Sequence, residues 1–166
     1  MNSSKDQAIV RASVVVDLSP AEAFALFTAG FDRWWPREHH LGKADLANAV
    51  LEAREGGRWF ERCVDDTECD WGRVLACEPG RRLLLSWQID PKWQIDPDPS
   101  HGSRVEVTFE SDGSKGTRVS LEHSELARHG EGWEAVVKSV GAEEGWPGLL
   151  ARYLAAGAPW KTASMS

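Results

Sequence analysis

From Leu51 to Trp87 short apolar runs alternate with turn signals, Gly56-Gly57, Asp65-Asp66-Thr67 and Glu78-Pro79-Gly80. Gly supplies positive φ, Pro presets φ and Asp bonds its own backbone, so the spacing predicts four successive antiparallel strands joined by tight turns. Further on, Val105, Val107 and Phe109 alternate with Arg104, Glu106, Thr108 and Glu110, and Val119, Leu121 and His123 alternate with Arg118, Ser120 and Glu122. Each is a strand with one buried and one wet face, joined across Asp112 to Gly116. The β-branched run Ile9 to Asp17 predicts a first strand.

The period changes at two places. Ser19-Pro20-Ala21-Glu22 follows the helix-entry pattern, with Ser as N-cap, Pro in the first turn and Glu closing a capping box. It predicts a helix from Pro20 to Ala29 with Ala23, Phe24 and Phe27 on one face, ended by Gly30. A second short turn of helix over Phe31 to Trp35 stops before Pro36. The adjacent Trp34 and Trp35 must face different ways, one onto the sheet and one toward the mouth of a cavity, or both onto separate core neighbours. Near the C-terminus Trp133, Val136, Val137 and Val140 fall at helical spacing. So do Trp146, Leu149, Leu150, Tyr153 and Leu154, which places a long helix over about Glu143 to Ala156 with Pro147 in its first turn. One strand, two short helices, six strands and a long final helix make an α+β fold with an antiparallel sheet covered on one side.

Length and charge narrow the function classes. The 166 residues read as a single domain with polar tails over about 1–8 and 158–166. A net charge of −7 offers no electrostatic footprint for nucleic acid or an anionic membrane. No run approaches a membrane span and MNSSKDQ has no signal-peptide pattern, so a cytoplasmic location is expected. Nine Trp against one Tyr is the unusual count, and it suggests a bulky core or an aromatic-lined cavity. Cys63 and Cys69 flank a turn and would allow a disulfide or half a metal site, but reduced thiols packed as small hydrophobes are the simpler reading. His39-His40 has no second ligand cluster at matching spacing and reads as solvated loop. No metal and no cofactor are expected. Pro91 to Gly102 is a polar loop carrying a local duplication, Trp87-Gln88-Ile89-Asp90-Pro91 and Trp93-Gln94-Ile95-Asp96-Pro97.

Gly56-Gly57-Arg58-Trp59, Trp71-Gly72-Arg73-Val74, Glu78-Pro79 with Arg82-Leu83 and Ser86-Trp87, and Gly145-Trp146-Pro147-Gly148-Leu149-Leu150 together resemble the SRPBCC (START-like) superfamily. More narrowly, the chain is similar from about Val10 to Ala156 to the family named after the C-terminal domain of the activator of Hsp90 ATPase. The resemblance implies a helix-grip fold, a curved antiparallel sheet wrapped around the long C-terminal helix with a deep apolar cavity between them. Its lining would come from Trp34, Leu85, Trp87, Val107, Phe109, Leu121, His123, Trp146, Leu150 and Tyr153, although a packed core has the same composition.

Three functions fit this frame. The leading one is binding of a small hydrophobic or aromatic molecule. The second is an enzyme of the cyclase, aromatase or hydrolase kind known among relatives, with Glu61, Arg73 and His123 as acid, anion clamp and base. The register of the 58–77 hairpin decides whether these three meet. A two-residue loop at Pro79-Gly80 turns Phe60, Arg62 and Val74 inward, whereas a longer loop or a bulge turns Trp59, Glu61, Trp71 and Arg73 inward. The third, an Hsp90 co-chaperone role, rests on the family name alone. Homodimerisation is compatible with all three.

Overall fold

The computed structural model describes residues 9–113 and 116–165. Seven antiparallel strands form one sheet: β1 (Val10–Val16), β2 (Leu46–Leu51), β3 (Arg58–Cys63), β4 (Glu68–Glu78), β5 (Arg82–Trp87), β6 (Ser103–Asp112) and β7 (Gly116–Ser124). Their spatial order is β1-β7-β6-β5-β4-β3-β2, so the meander β2 to β7 is completed by β1 at the far edge. The sheet curls into a half-barrel around the final helix, which is the helix-grip architecture expected. No helix among the described residues is long and apolar enough to cross a membrane.

The capping box forms as its residues dictate. Glu22 N–H donates to Ser19 Oγ at 3.2 Å and Ser19 N–H donates to Glu22 Oε1 at 2.9 Å, opening α1 (Pro20–Phe27). The helix stops short of the predicted Ala29: Thr28 N–H still bonds Phe24 O at 3.0 Å, but Gly30 N–H reaches back to Ala25 O at 3.0 Å, out of the i→i−4 ladder. A four-residue α2 (Phe31–Trp34) follows, then α3 (Trp133–Gly141) and α4 (Trp146–Met165). The last helix starts later and runs farther than its apolar stripe predicts, into the stretch read as a polar tail. Leu154, placed on its inner face by spacing, is 45% exposed.

Two bulges in β4 resolve the open register. The loop is three residues, so Glu78 pairs with Arg82 and Ala76 with Leu84; Leu75 is then skipped, and Val74 pairs with Leu85. A second irregularity at Trp71 pairs Trp59 with Gly72 and Phe60 with Asp70. Both parities therefore appear inside the same sheet. Val74 is buried as the first register requires, and Trp59, Glu61 and Trp71 are buried as the second requires. Phe60 lies on the outer face, covered by the Arg58 guanidinium 3.8 Å from its ring centroid. Arg73 also stays outside, paired with Asp70 at 3.2 Å.

The centre of the sheet is filled. Phe24 and Phe27 meet Phe109 edge to face at 5.3 and 5.9 Å, and Tyr153 packs on Phe27 and Trp34 at 5.6 and 5.4 Å. Tyr153 donates its hydroxyl to Ala23 O at 2.7 Å, tying α4 to α1. Leu85, Val107, Leu121 and Leu150 are buried in this same cluster. What remains open lies toward the other end of the barrel.

Candidate functional site

Indole rings form a continuous row across the concave face of β3, β4 and β5. Trp71 meets Trp59 at 5.7 Å, Trp59 meets Trp87 at 5.7 Å, and Trp87 meets Trp146 at 6.0 Å. Trp35 lies against Trp71 at 5.0 Å. Next to this row is a cavity of about 370 Å³ walled by Trp35, Trp71, Trp87, Trp93 and Trp146, with Leu41, Ile89, Val140 and Leu149 between them. Its polar lining is Glu38, His39, His40, Ser139 and Glu144, and among the described residues no Lys or Arg lines it. The Glu38 carboxylate is met from outside by Arg152 at 3.4 Å.

Of the residues expected to line a cavity, Trp87 and Trp146 do. Trp34 does not; it turns into the core and donates Nε1–H to Leu26 O at 3.2 Å, while its neighbour Trp35 reaches the cavity wall. Leu85, Val107, Phe109, Leu121, Leu150 and Tyr153 belong to the packed centre. Trp35 is the member of the Trp34-Trp35 pair at the cavity and Trp71 faces inward as the bulged register allows, whereas the His39-His40 pair, read as solvated loop, and Trp93 were not expected at its wall. For Trp93 the duplicated pentapeptide, which repeats a strand-end Trp in a polar loop, was the available signal.

Glu61 is 0% exposed, yet it meets neither Arg73 nor His123. Its Oε1 accepts the Leu41 N–H at 2.6 Å and the Trp71 Nε1–H at 2.9 Å; its Oε2 accepts the Gly42 N–H at 2.9 Å and the Cys63 thiol at 3.4 Å. A buried carboxyl group with no Lys or Arg against it among the described residues survives because these donors replace its hydration. The group fastens the 36–45 loop, and with it His40 and Leu41, to the cavity wall. His40, Glu61 and Cys63 have metal-ligand atoms within 4.8 Å of one another. The fit is poor, because Glu61 already accepts four donors and burial raises the Cys63 pKa, favouring the thiol over the thiolate a metal needs. Cys69 lies opposite Glu61, not Cys63, and all three cysteines are free thiols.

His123 is also fully buried, at the other end of the aromatic row. Trp146 donates Nε1–H to His123 Nδ1 at 3.0 Å, and an indole can only donate. The imidazole proton therefore sits on Nε2 and is donated to Ser103 Oγ at 2.7 Å, and the Ser103 hydroxyl in turn donates to His129 Nε2 at 2.8 Å. His129 Nδ1–H is left buried without an acceptor among the described residues. The chain has one direction and requires both imidazoles neutral. Its evident task is to hold the Trp146 ring edge-on, so that the indole walls the cavity.

Burial pushes the His123 pKa down to about 3 and that of His129 below the ordinary histidine range. The unfolded chain takes up protons near pH 6.5 and the folded chain does not. The stabilisation is thus complete above about pH 6.5 and is lost as pH falls from there toward 3. His123 alone is expected to cost about 2 kcal/mol at pH 5 relative to pH 7. Urea unfolding at the two pH values measures this; His123→Gln, which can accept from Trp146 and donate to Ser103, should remove the His123 part of the difference and leave that of His129, and an unchanged pH dependence would contradict the assignment.

Fold and aromatic cavity together define a helix-grip protein of the SRPBCC class. Within it, the chain belongs to the activator of Hsp90 ATPase homolog 1-like family, whose pattern matches residues 17–156. It is similar to an anthrahydroquino-γ-pyrone synthase, Txn09, at 41% identity over 88% of this chain and 94% of that one, with a TM-score of 0.63. It is also similar to CalC, a self-sacrificing resistance protein from Micromonospora echinospora, at 29% identity over 89% and 92% of the two chains, with a TM-score of 0.62. A Nitrosomonas europaea protein shares the fold at 11% identity, covering 94% of this chain and 97% of its own, with a TM-score of 0.67. No curated protein matches the chain.

Proposed function

We propose that the protein binds a flat, polycyclic aromatic molecule in the tryptophan-walled cavity. The observation that carries this is the convergence of five of the nine tryptophans on one space of about 370 Å³. Broad rigid rings with offset or edge-to-face geometry favour a planar partner over a flexible chain, and the volume falls in the range of small-molecule sites. Similarity to a synthase named for an anthrahydroquinone product supports the same class of ligand. We propose further that it acts in the cytoplasm, a compartment that would keep its three cysteine thiols reduced.

That similarity also favours a second reading, in which the cavity promotes ring closure on the molecule it holds. The bases available at its wall are His39, His40, Glu38 and Glu144. Glu61 and His123 do not line the cavity, and Arg73 is on the outer face, so this chemistry would start from the mouth of the cavity.

Titration of intrinsic tryptophan fluorescence with dihydroxyanthraquinone and, separately, with a saturated fatty acid tests the binding reading. Saturable quenching and a raised melting temperature are expected with the planar compound, about 2.7 kcal/mol of stabilisation at a hundredfold excess over Kd. Binding of the fatty acid with no response to the planar compound overturns it.

A further inference from the structure

The duplicated pentapeptide folds onto itself. Ile89 and Ile95, equivalent positions of the two copies, pair as an antiparallel bridge. Asp90 N–H donates to Gln94 O and Asp96 N–H to Gln88 O, each at 2.8 Å. The stem of this small hairpin is fixed from below: Ser86 Oγ donates to Gln88 Oε1 at 2.8 Å, Gln88 Nε2 donates to Asp96 O at 3.2 Å, and Asp96 Oδ2 meets His101 Nδ1 at 2.9 Å. Both tryptophans of the duplication line the same cavity. Trp87 belongs to its inner wall and Trp93 to the hairpin tip.

Trp93 is unlike the other four cavity indoles. It is 44% exposed, whereas those four are buried, and among the described residues its ring has no aromatic partner. Its φ of +61° is disfavoured for a bulky side chain. Asp90 holds the tip in that shape, accepting the Lys92 and Gln94 N–H groups on Oδ1, both at 2.9 Å, and the Trp93 N–H on its carbonyl at 2.9 Å. A large apolar ring is thus kept in water, on a disfavoured backbone, beside an aromatic cavity.

We propose that this hairpin is a clamp, with Trp93 closing over a planar aromatic ligand already seated among the inner indoles. The proposal rests on the reading of the cavity as an aromatic-binding site. A ring face that is half in water in the free protein becomes covered on binding, so Trp93 contributes mainly to residence time.

Dissociation of dihydroxyanthraquinone, followed by stopped-flow fluorescence, tests it in wild type, Trp93→Phe and Trp93→Gly. Release is expected to be roughly tenfold faster in Trp93→Gly and intermediate in Trp93→Phe, which keeps a ring face. The free Trp93→Gly protein should melt no lower than wild type, because glycine adopts positive φ without strain. Unchanged release rates in both variants overturn the clamp and leave the cavity reading standing. A large drop in the free protein's melting temperature also overturns it, since Trp93 would then be a structural residue. If wild type does not bind the planar compound, the cavity reading falls and takes the clamp with it.

Discussion

Replacing Glu61 by alanine is expected to destabilise the protein by about 4 kcal/mol, since three strong donors lose their common acceptor inside the structure. Among the described residues the Leu41 and Gly42 amides and the Trp71 indole N–H have no hydrogen-bond acceptor besides Glu61. Each buried donor left unmet costs about 1–3 kcal/mol, partly recovered where water can enter. Glu61→Gln should cost about half as much, because it keeps one oxygen but turns an NH₂ toward the remaining donors. For a chain of this length the alanine variant should melt roughly 10 °C lower. Urea denaturation of the two variants checks both size and order. A Glu61→Ala protein within about 1 kcal/mol of wild type would mean that the 36–45 loop is held by something other than this carboxylate. Weaker binding should accompany the loss of stability, because the loop carries His40 and Leu41 into the cavity wall.

Gly72→Ala is expected to be of comparable effect, for a steric reason. A Cβ on Gly72 would sit 1.8 Å from the Ser86 carbonyl oxygen, and a backbone atom cannot rotate away as a side chain would. The strands β4 and β5 must then separate where the Trp71 carbonyl accepts the Gln88 N–H at 2.7 Å and Ser86 Oγ accepts the Arg73 N–H at 2.9 Å. A cost of about 3 kcal/mol or more follows from overpacking alone. Gly56→Ala is the control: nothing lies within 4 Å of its Cβ position and only its φ of +82° is unfavourable, so a loss of about 1 kcal/mol is expected. Thermal unfolding followed by circular dichroism should rank Gly72→Ala far below Gly56→Ala. Equal melting temperatures would show that the bulge can open without cost.

Most of the architecture was legible because it follows from local chemistry. Ser19, Pro20 and Glu22 define the start of α1, and the alternation from Val105 to Phe109 and from Val119 to His123 defines two faces of the sheet. The parity of β4 was not legible, because a three-residue loop and two bulges each change which residues face inward; Gly72 is the kind of strand glycine that marks a bulge, but it does not say which neighbour is skipped, and nothing near Leu75 signals the second one. The site was harder to read than the fold. Alternation identifies Leu85, Val107, Phe109 and Leu121 as inward residues, but whether inward means packed or open depends on what α1 and α4 place opposite them. Phe24, Phe27 and Tyr153 fill that centre, so the open volume moves to the end walled by Trp35 and Trp71. Of the three candidate catalytic groups, Arg73 lies outside, and Glu61 and His123 are buried polar residues of the inner face. Their partners, two loop amides and a serine hydroxyl from distant parts of the chain, have no signature in sequence.

The position of β1 in the sheet has a consequence for how the chain is made. As an edge strand it has one neighbour, β7, and the Arg11–Glu122 pair that crosses their junction joins residues 111 apart. On a ribosome β1 emerges before the other six strands and lacks its partner β7 until almost the whole sheet has been synthesised. The hairpins from β2 to β5 involve short separations and can form while it waits. Even then α1 lacks its anchor until Tyr153 arrives to bond Ala23, a separation of 130 residues. The nascent protein therefore carries Val14, Val16 and the aromatic face of α1 uncovered for much of translation, and a chain stalled before β6 and β7 would present an unpaired β1 beside an uncovered hydrophobic helix, the kind of surface that chaperones hold and that aggregation seeds on.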